Sequence, residues 1–215
     1  MIKLLSKELR LAMHPTSLIF LGLSALILVP NYPYLVTFFY TGLGVFFTCL
    51  SGRENHDIAY SVALPVRKSD VVKARFIFVA AIELVQAAIV VPFALLRARM
   101  PLPGNQVGMD ANVAFFGFAL LSLGIFNAVF FGIYYKDVRK VGKAFGAASA
   151  WVFAYITAVE AACHVVPLFR DRLDRPDPEE LGLKLAALAL GALAYVALTV
   201  AAYFRARRDF ERQDL

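Results

Sequence analysis

Cysteine, histidine and charge are all scarce in this chain: its 215 residues hold two cysteines and three histidines, and only 18% are charged. Cys49 and Cys163 form no CxxC pair, and no His/Cys cluster has zinc spacing, so a structural metal is not expected. No GxxxxGK[ST] occurs, which excludes holding nucleotide phosphates on the backbone amides and lysine of that loop. The charge content lies below the roughly 25% of an ordinary soluble domain. With 60% hydrophobic residues and a mean hydropathy of +0.66, the composition is that of a chain in a bilayer. Lys3, Lys7 and Arg10 precede an apolar run as in a signal peptide, but that run ends in ILVPNYPY, with no small-residue cleavage pattern.

Six apolar runs stand out, at 17–29, 35–50, 76–96, 113–135, 144–166 and 185–204. At about 1.5 Å per residue, each of the last four reaches the roughly 30 Å of a hydrocarbon core. The first has only 13 residues, yet one helix over 17–50 would be about 51 Å long, too long for a bilayer without extreme tilt. Pro30 and Pro33 supply a break, since each removes a backbone donor and disfavours helix in the preceding residue. The reading is a hairpin of two short spans with Tyr32 and Tyr34 as interfacial aromatics. Cys49 and Cys163 then lie near opposite faces of the membrane, farther apart than the roughly 7 Å a disulfide allows between Cα atoms.

Charge tests the count of six spans. With both termini on one side, segments 1–15, 51–75, 136–143 and 205–215 hold 16 of the 22 basic residues, the bias expected of cytoplasmic segments. The same bias accounts for the net charge of +6 through topology and anionic-lipid contact, without nucleic acid. The expectation is an all-α integral membrane fold in one transmembrane domain with cytoplasmic termini. It comprises an interfacial helix over 1–15, spans 1 and 2 over 17–50, an inner loop over 51–74, spans 3 and 4 over 75–135, a short inner loop over 136–143, spans 5 and 6 over 144–204, and a tail over 205–215.

Near the start, Ile2, Leu5, Leu9 and Ala12 or Met13 recur at helical spacing opposite Lys3, Lys7 and Arg10, which describes an amphipathic helix along the inner surface. A simple anchor and a docking element are both open readings of it. The polar stretch 51–74 is organised: 53–63 fits a short helix, Leu64-Pro65 stops it, and Ser69 fits an N-cap for the helix entering span 3. A solvated inner loop is the plainer reading of that composition.

The run SVALPVRKSDVVKARF resembles the segment that ABC-2 type permeases carry just before their third transmembrane helix. Leu64, Pro65, Val66, Lys68, Val71, Val72, Lys73 and Phe76 occupy corresponding positions, although the usual Ser between Val66 and Arg67 is missing. The order of a basic N-terminal helix, two spans, this loop and four spans is similar as well. The resemblance implies an exporter subunit whose ATPase is a separate polypeptide that carries the ATP and magnesium, this chain binding no cofactor and having no catalytic residues. It implies that 54–63 is a coupling helix seated in a groove of the ATPase, with Arg53, Glu54, His56, Asp57, Tyr60, Leu64, Pro65, Arg67 and Lys68 at the contact. Lys136, Asp137, Arg139 and Lys140 would form a second cytoplasmic contact. Two such subunits, identical or related, would enclose the path in a bacterial cytoplasmic membrane, with a hydrophobic or amphipathic cargo such as a peptide.

Within the spans only Glu83 and Glu160 are acidic, and an ionised group there costs on the order of 3 kcal/mol at the helix centre, so both should face protein or water. Glu83 and Asn127 each lie eight residues, about 12 Å, inside a cytoplasmic helix end, so Glu83, Gln86 and Asn127 are placed in one polar layer. Glu160 and His164, one turn apart, are a candidate second layer. Each set either lines a substrate path or holds helices together. Gly142, Gly146, Ala150 and Ala154 repeat every four positions and suggest close packing within the chain. The charged loop 170–180 either gates an exit or caps two helices. An intramembrane enzyme would need its acids and histidine convergent at one depth, which Glu83, Glu160, His164 and His56 are not. An accessory or immunity protein without transport remains a third reading, opposed by the ordered loop.

Overall fold

The computed structural model describes residues 2–213, the side chains of Ile2 and Leu11 excepted; the last two residues of the expected tail and the Ile2 position of the apolar stripe lie outside it. Every regular element among the described residues is helical. Helix α1 (Ile2–Lys7) widens into a π turn (Glu8–Ala12), and α2 (Thr16–Gly22) tightens into a 3-10 stretch (Leu23–Leu28). Then come α3 (Val36–Glu54), α4 (Asp57–Ala63), α5 (Lys68–Arg99), α6 (Val113–Tyr134), α7 (Val141–Val165) and α8 (Leu181–Glu211). Helices α5, α6, α7 and α8 are long and apolar enough to cross a membrane, whereas the apolar helix Thr16–Leu28 is shorter.

Helix α5 has 32 residues and α8 has 31, lengths of about 48 and 46 Å that exceed a hydrocarbon core. Each therefore carries its span and a polar extension as one rod. The expected cap at Ser69 does not form: the backbone is extended at Arg67 and helical from Lys68, so Ser69 lies inside the first turn, where Asp70 supplies the acid that a helix N-terminus favours. The short helix also begins later than expected. Helix α3 runs on through Glu54, and His56 adopts the left-handed region at φ 52°, which breaks the chain before α4.

Helices α6 and α8 make the closest crossing. A Cβ on Gly117 would lie 2.5 Å from the Ala187 carbonyl oxygen, and one on Gly191 would collide with the backbone of Gly117. Bare glycines let the two backbones touch, the packing that small residues permit in membranes. The stripe expected to do this is elsewhere: Gly142, Gly146, Ala150 and Ala154 are all exposed, and nothing lies within 4 Å of a Cβ built on either glycine. Helix α7 turns Ala144, Ala148, Val152 and Ile156 inward instead, because these branched and small residues fill the groove against α6 more fully than glycines do.

Two further expectations change. Tyr34 is not an interfacial aromatic but is 1% exposed, its hydroxyl accepting a bond of 2.9 Å from Arg97 Nε. Tyr32 is half-buried, and segment 100–112 covers the hairpin through Asn105 Nδ2 donating to the Tyr32 carbonyl at 2.9 Å. In the first helix, Leu4, Glu8 and Ala12 face the bundle while Leu9 is exposed. The ion pairs of Lys7 and Glu8 set that rotation.

Candidate functional site

At the end of the bundle carrying α4, four elements meet on one guanidinium. Arg75 of α5 is 4% exposed in its side chain and lies 2.5 Å from Glu8 and 3.0 Å from Asp57. The Glu8 approach through Nε is a charge contact without hydrogen-bond alignment, while Nη2 donates to the other Glu8 oxygen at 3.4 Å. Nη1 reaches Cys49 Sγ of α3 at 3.5 Å. Asp57 also pairs with Lys7 at 2.6 Å, and Lys7 donates to Ser61 Oγ at 2.6 Å. Two cations thus interleave with two carboxylates in a nearly dry site, an arrangement that tolerates burial because each charge has an opposite neighbour.

This geometry divides the residues singled out around 51–74. Arg53, Glu54, His56, Tyr60, Leu64, Pro65 and Arg67 are exposed. Asp57 is turned inward to Lys7 and Arg75, and Lys68 Nζ donates to the Gln213 carbonyl at 2.5 Å, which ties the start of α5 to the segment after α8. Gln213 Nε2 in turn bonds the Tyr135 carbonyl. Arg53 donates to the Arg139 carbonyl at 3.3 Å, so the two polar loops lie side by side. In the second loop Lys136, Arg139 and Lys140 are exposed; Asp137 bonds Lys140 and Arg139, which hold its carboxyl down at about 2. Glu8, Arg75 and Lys7 were missed as a set, although an arginine seven residues inside α5, next to its apolar run, was the available signal.

The mid-bundle layer is partly as expected. Asn127 Nδ2 donates to Glu83 Oε2 at 3.0 Å, and the same oxygen accepts from Tyr195 at 2.7 Å. Asn127 also donates to Thr199 at 3.1 Å. Gln86 is not part of that set: one turn along α5, it faces α3 and reaches the Thr37 carbonyl at 3.5 Å. Tyr195 and Thr199 were missed because a tyrosine and a threonine in an apolar run carry no mark of their partner. Glu160 and His164 do not pair: His164 Nε2 lies 3.2 Å from the Val107 carbonyl, and the Glu160 stem packs where a Gly108 side chain would be.

At the opposite end, segment 170–180 caps helices. Asn112 Oδ1 accepts from Phe115 N at the start of α6 while its Nδ2 donates to the Leu173 carbonyl at 2.7 Å. Lys184, wholly buried, binds the Arg175 and Pro176 carbonyls and Asp177. Burial pushes the Asp174 carboxyl up to about 6.

A chain whose regular elements among the described residues are all helical, with several helices able to cross a bilayer and polar clusters at both ends, is a multi-pass membrane protein. Its sequence matches the family described as ABC-2 family transporter protein over residues 3–207, and the chain belongs to that family, with a transport role of the permease type. No curated protein and no solved structure matches it.

Proposed function

We propose that the chain is the permease subunit of an ABC exporter, driven by ATP hydrolysis on a separate nucleotide-binding subunit that holds the ATP and magnesium. A hydrophobic or amphipathic molecule, with peptides the first class to test, is moved out of the cell. Six spans cross a bacterial cytoplasmic membrane with both termini inside, α2 and α3 forming the short pair, as the basic bias of 1–15, 51–75, 136–143 and 205–215 supports. A second permease subunit, identical or related, completes the path. The exposed small-residue face of α7 supports a place for close helix contact between subunits.

The observation that carries this reading is the placement of α4. Glu54, His56 and Tyr60 project from it or beside it, and its inward face is bonded to α5 through Asp57 and Arg75. In this reading the ATPase seats the exposed face, and closure of the paired ATPases shifts α4. The Asp57–Arg75 link passes the shift to α5, a rod that continues across the membrane. Tilting of α5 and its neighbours then turns the cavity from the inner to the outer side. Asp57 and Lys68 serve as internal links in this scheme, and Arg53, Glu54, His56, Tyr60, Arg67 and the 136–140 residues make the contact.

The test is co-purification of the tagged chain from its native membrane in mild detergent, wild type against Glu54→Arg combined with Tyr60→Ala. Both side chains are exposed, and the Tyr60 hydroxyl has no hydrogen-bond partner among the described residues, so folding is preserved. Wild type is expected to recover an ATPase with a nucleotide-binding loop, and the double variant to lose it together with transport. Unchanged recovery and transport in the variant would remove the docking assignment.

A further inference from the structure

At the end of the bundle remote from α4, a cavity of about 220 Å³ is lined by Ala94, Arg97, Asp110 and Asp177 among others. Arg97 is 6% exposed, yet among the described residues no carboxylate lies within 4 Å of its guanidinium. Nε donates to Tyr34 and Nη2 to the Pro103 carbonyl at 2.7 Å, which leaves Nη1 without a partner among the described residues. A buried arginine normally meets a carboxylate or phosphate in a paired, planar contact. Across the cavity, Asp110 Oδ1 accepts from Asn105 N at 2.9 Å, while among the described residues Oδ2 has no partner and no basic group lies within 4 Å of it. Asp177 is already spent on Lys184 and on Val113 N. The cavity therefore presents one free positive pole and one free negative pole that do not neutralise each other directly. Leu102, which lines it, leaves apolar surface exposed.

We propose that Arg97 and Asp110 bind an ethanolamine phosphodiester, the phosphate on Arg97 and the primary ammonium on Asp110. A phosphate alone would face the unpaired Asp110 carboxylate, and an amine alone would face the unpaired guanidinium. A zwitterion satisfies both. Leu102 at the cavity rim offers apolar surface that the acyl chains of a phospholipid would cover. The shared chemistry has two sources, an intact membrane lipid or a free headgroup.

The purified full-length chain in detergent is offered phosphatidylethanolamine, phosphatidylglycerol and phosphatidylcholine of matched chains in equal amounts, and retained lipid is read by native mass spectrometry. Phosphatidylethanolamine is expected to exceed each of the others by about tenfold, since phosphatidylglycerol has no ammonium and the choline head has no N–H for Asp110. Arg97→Gln and Asp110→Asn should each abolish the preference, and Arg97→Lys, which keeps the charge, should retain part of it. Asp110→Asn keeps the acceptor for Asn105 N, so it reports on the site even if Arg97→Gln folds poorly. Glycerophosphoethanolamine that displaces the lipid identifies the headgroup as sufficient; if it does not, the intact lipid is the ligand. Equal retention of the three lipids, or a preference unchanged in Asp110→Asn, overturns the proposal. Neither result depends on any ATPase.

Discussion

Replacing Arg75 by Gln is the sharpest perturbation of the charge cluster beneath α4. It deletes the guanidinium that separates Glu8 from Asp57, leaving a carboxylate of 2% side-chain exposure without its closest cation. Breaking a buried pair by removing one partner costs about 3–5 kcal/mol. Lys7 remains 3.7 Å from Glu8 and 2.6 Å from Asp57, so it takes up part of the loss and the lower half of that range is expected. For a chain of this length about 3 kcal/mol corresponds to a fall of roughly 6–12 °C in Tm. Glu8→Gln should follow closely, and Asp57→Asn should cost least, because Asp57 is 14% exposed in its side chain and Arg75 keeps Glu8. The double variant Glu8→Gln with Arg75→Gln should recover much of the stability, since two neutral amides carry no stranded charge. The assay is thermal unfolding of the purified chain in one detergent, each variant against wild type. A Tm loss for Asp57→Asn equal to that of Arg75→Gln, or a double variant no better than the sum of its singles, would refute the view of Arg75 as the hub.

Three other outcomes are expected. Gly117→Ala should lower stability by about 1–3 kcal/mol in the same assay, because its Cβ would meet backbone of α8 that cannot rotate away, whereas Gly146→Ala should be neutral. Tyr195→Phe, which takes away one of two donors to Glu83 Oε2, should cost about 1–3 kcal/mol. Asp174, raised to about 6 by burial, favours the fold in its neutral form: its contribution is full below its unfolded value and is lost as pH rises through about 6. Asp174→Asn should therefore raise Tm at pH 8 and make little difference at pH 4, read by thermal melts across that range.

The sequence alone determined what depends on the solvent and on local chemistry. Long apolar runs place helices 5 to 8 of the fold within a residue or a few turns of the expected spans at 76–96, 113–135, 144–166 and 185–204, because an unbroken apolar run has no other way to satisfy its backbone in lipid. Pro30 and Leu64-Pro65 follow helix ends where a break was expected, and Pro33 lies in the turn before α3, since a missing N–H acts on the chain locally. The family was legible in SVALPVRKSDVVKARF for the same reason, as a contiguous string. What the tertiary structure alone decided is which way each side chain faces. Asp57 and Glu54 lie three residues apart in one polar loop, yet one is locked to Arg75 and the other is exposed, a difference set by where α1 and α5 deliver Lys7, Glu8 and Arg75. Likewise Gly117 rather than Gly146 marks the tightest helix contact, and Glu83 meets Tyr195 from 112 residues away. Partners that distant leave no periodicity in the chain, because the energy of a buried charge or a backbone contact depends on distances that only the packed helices fix.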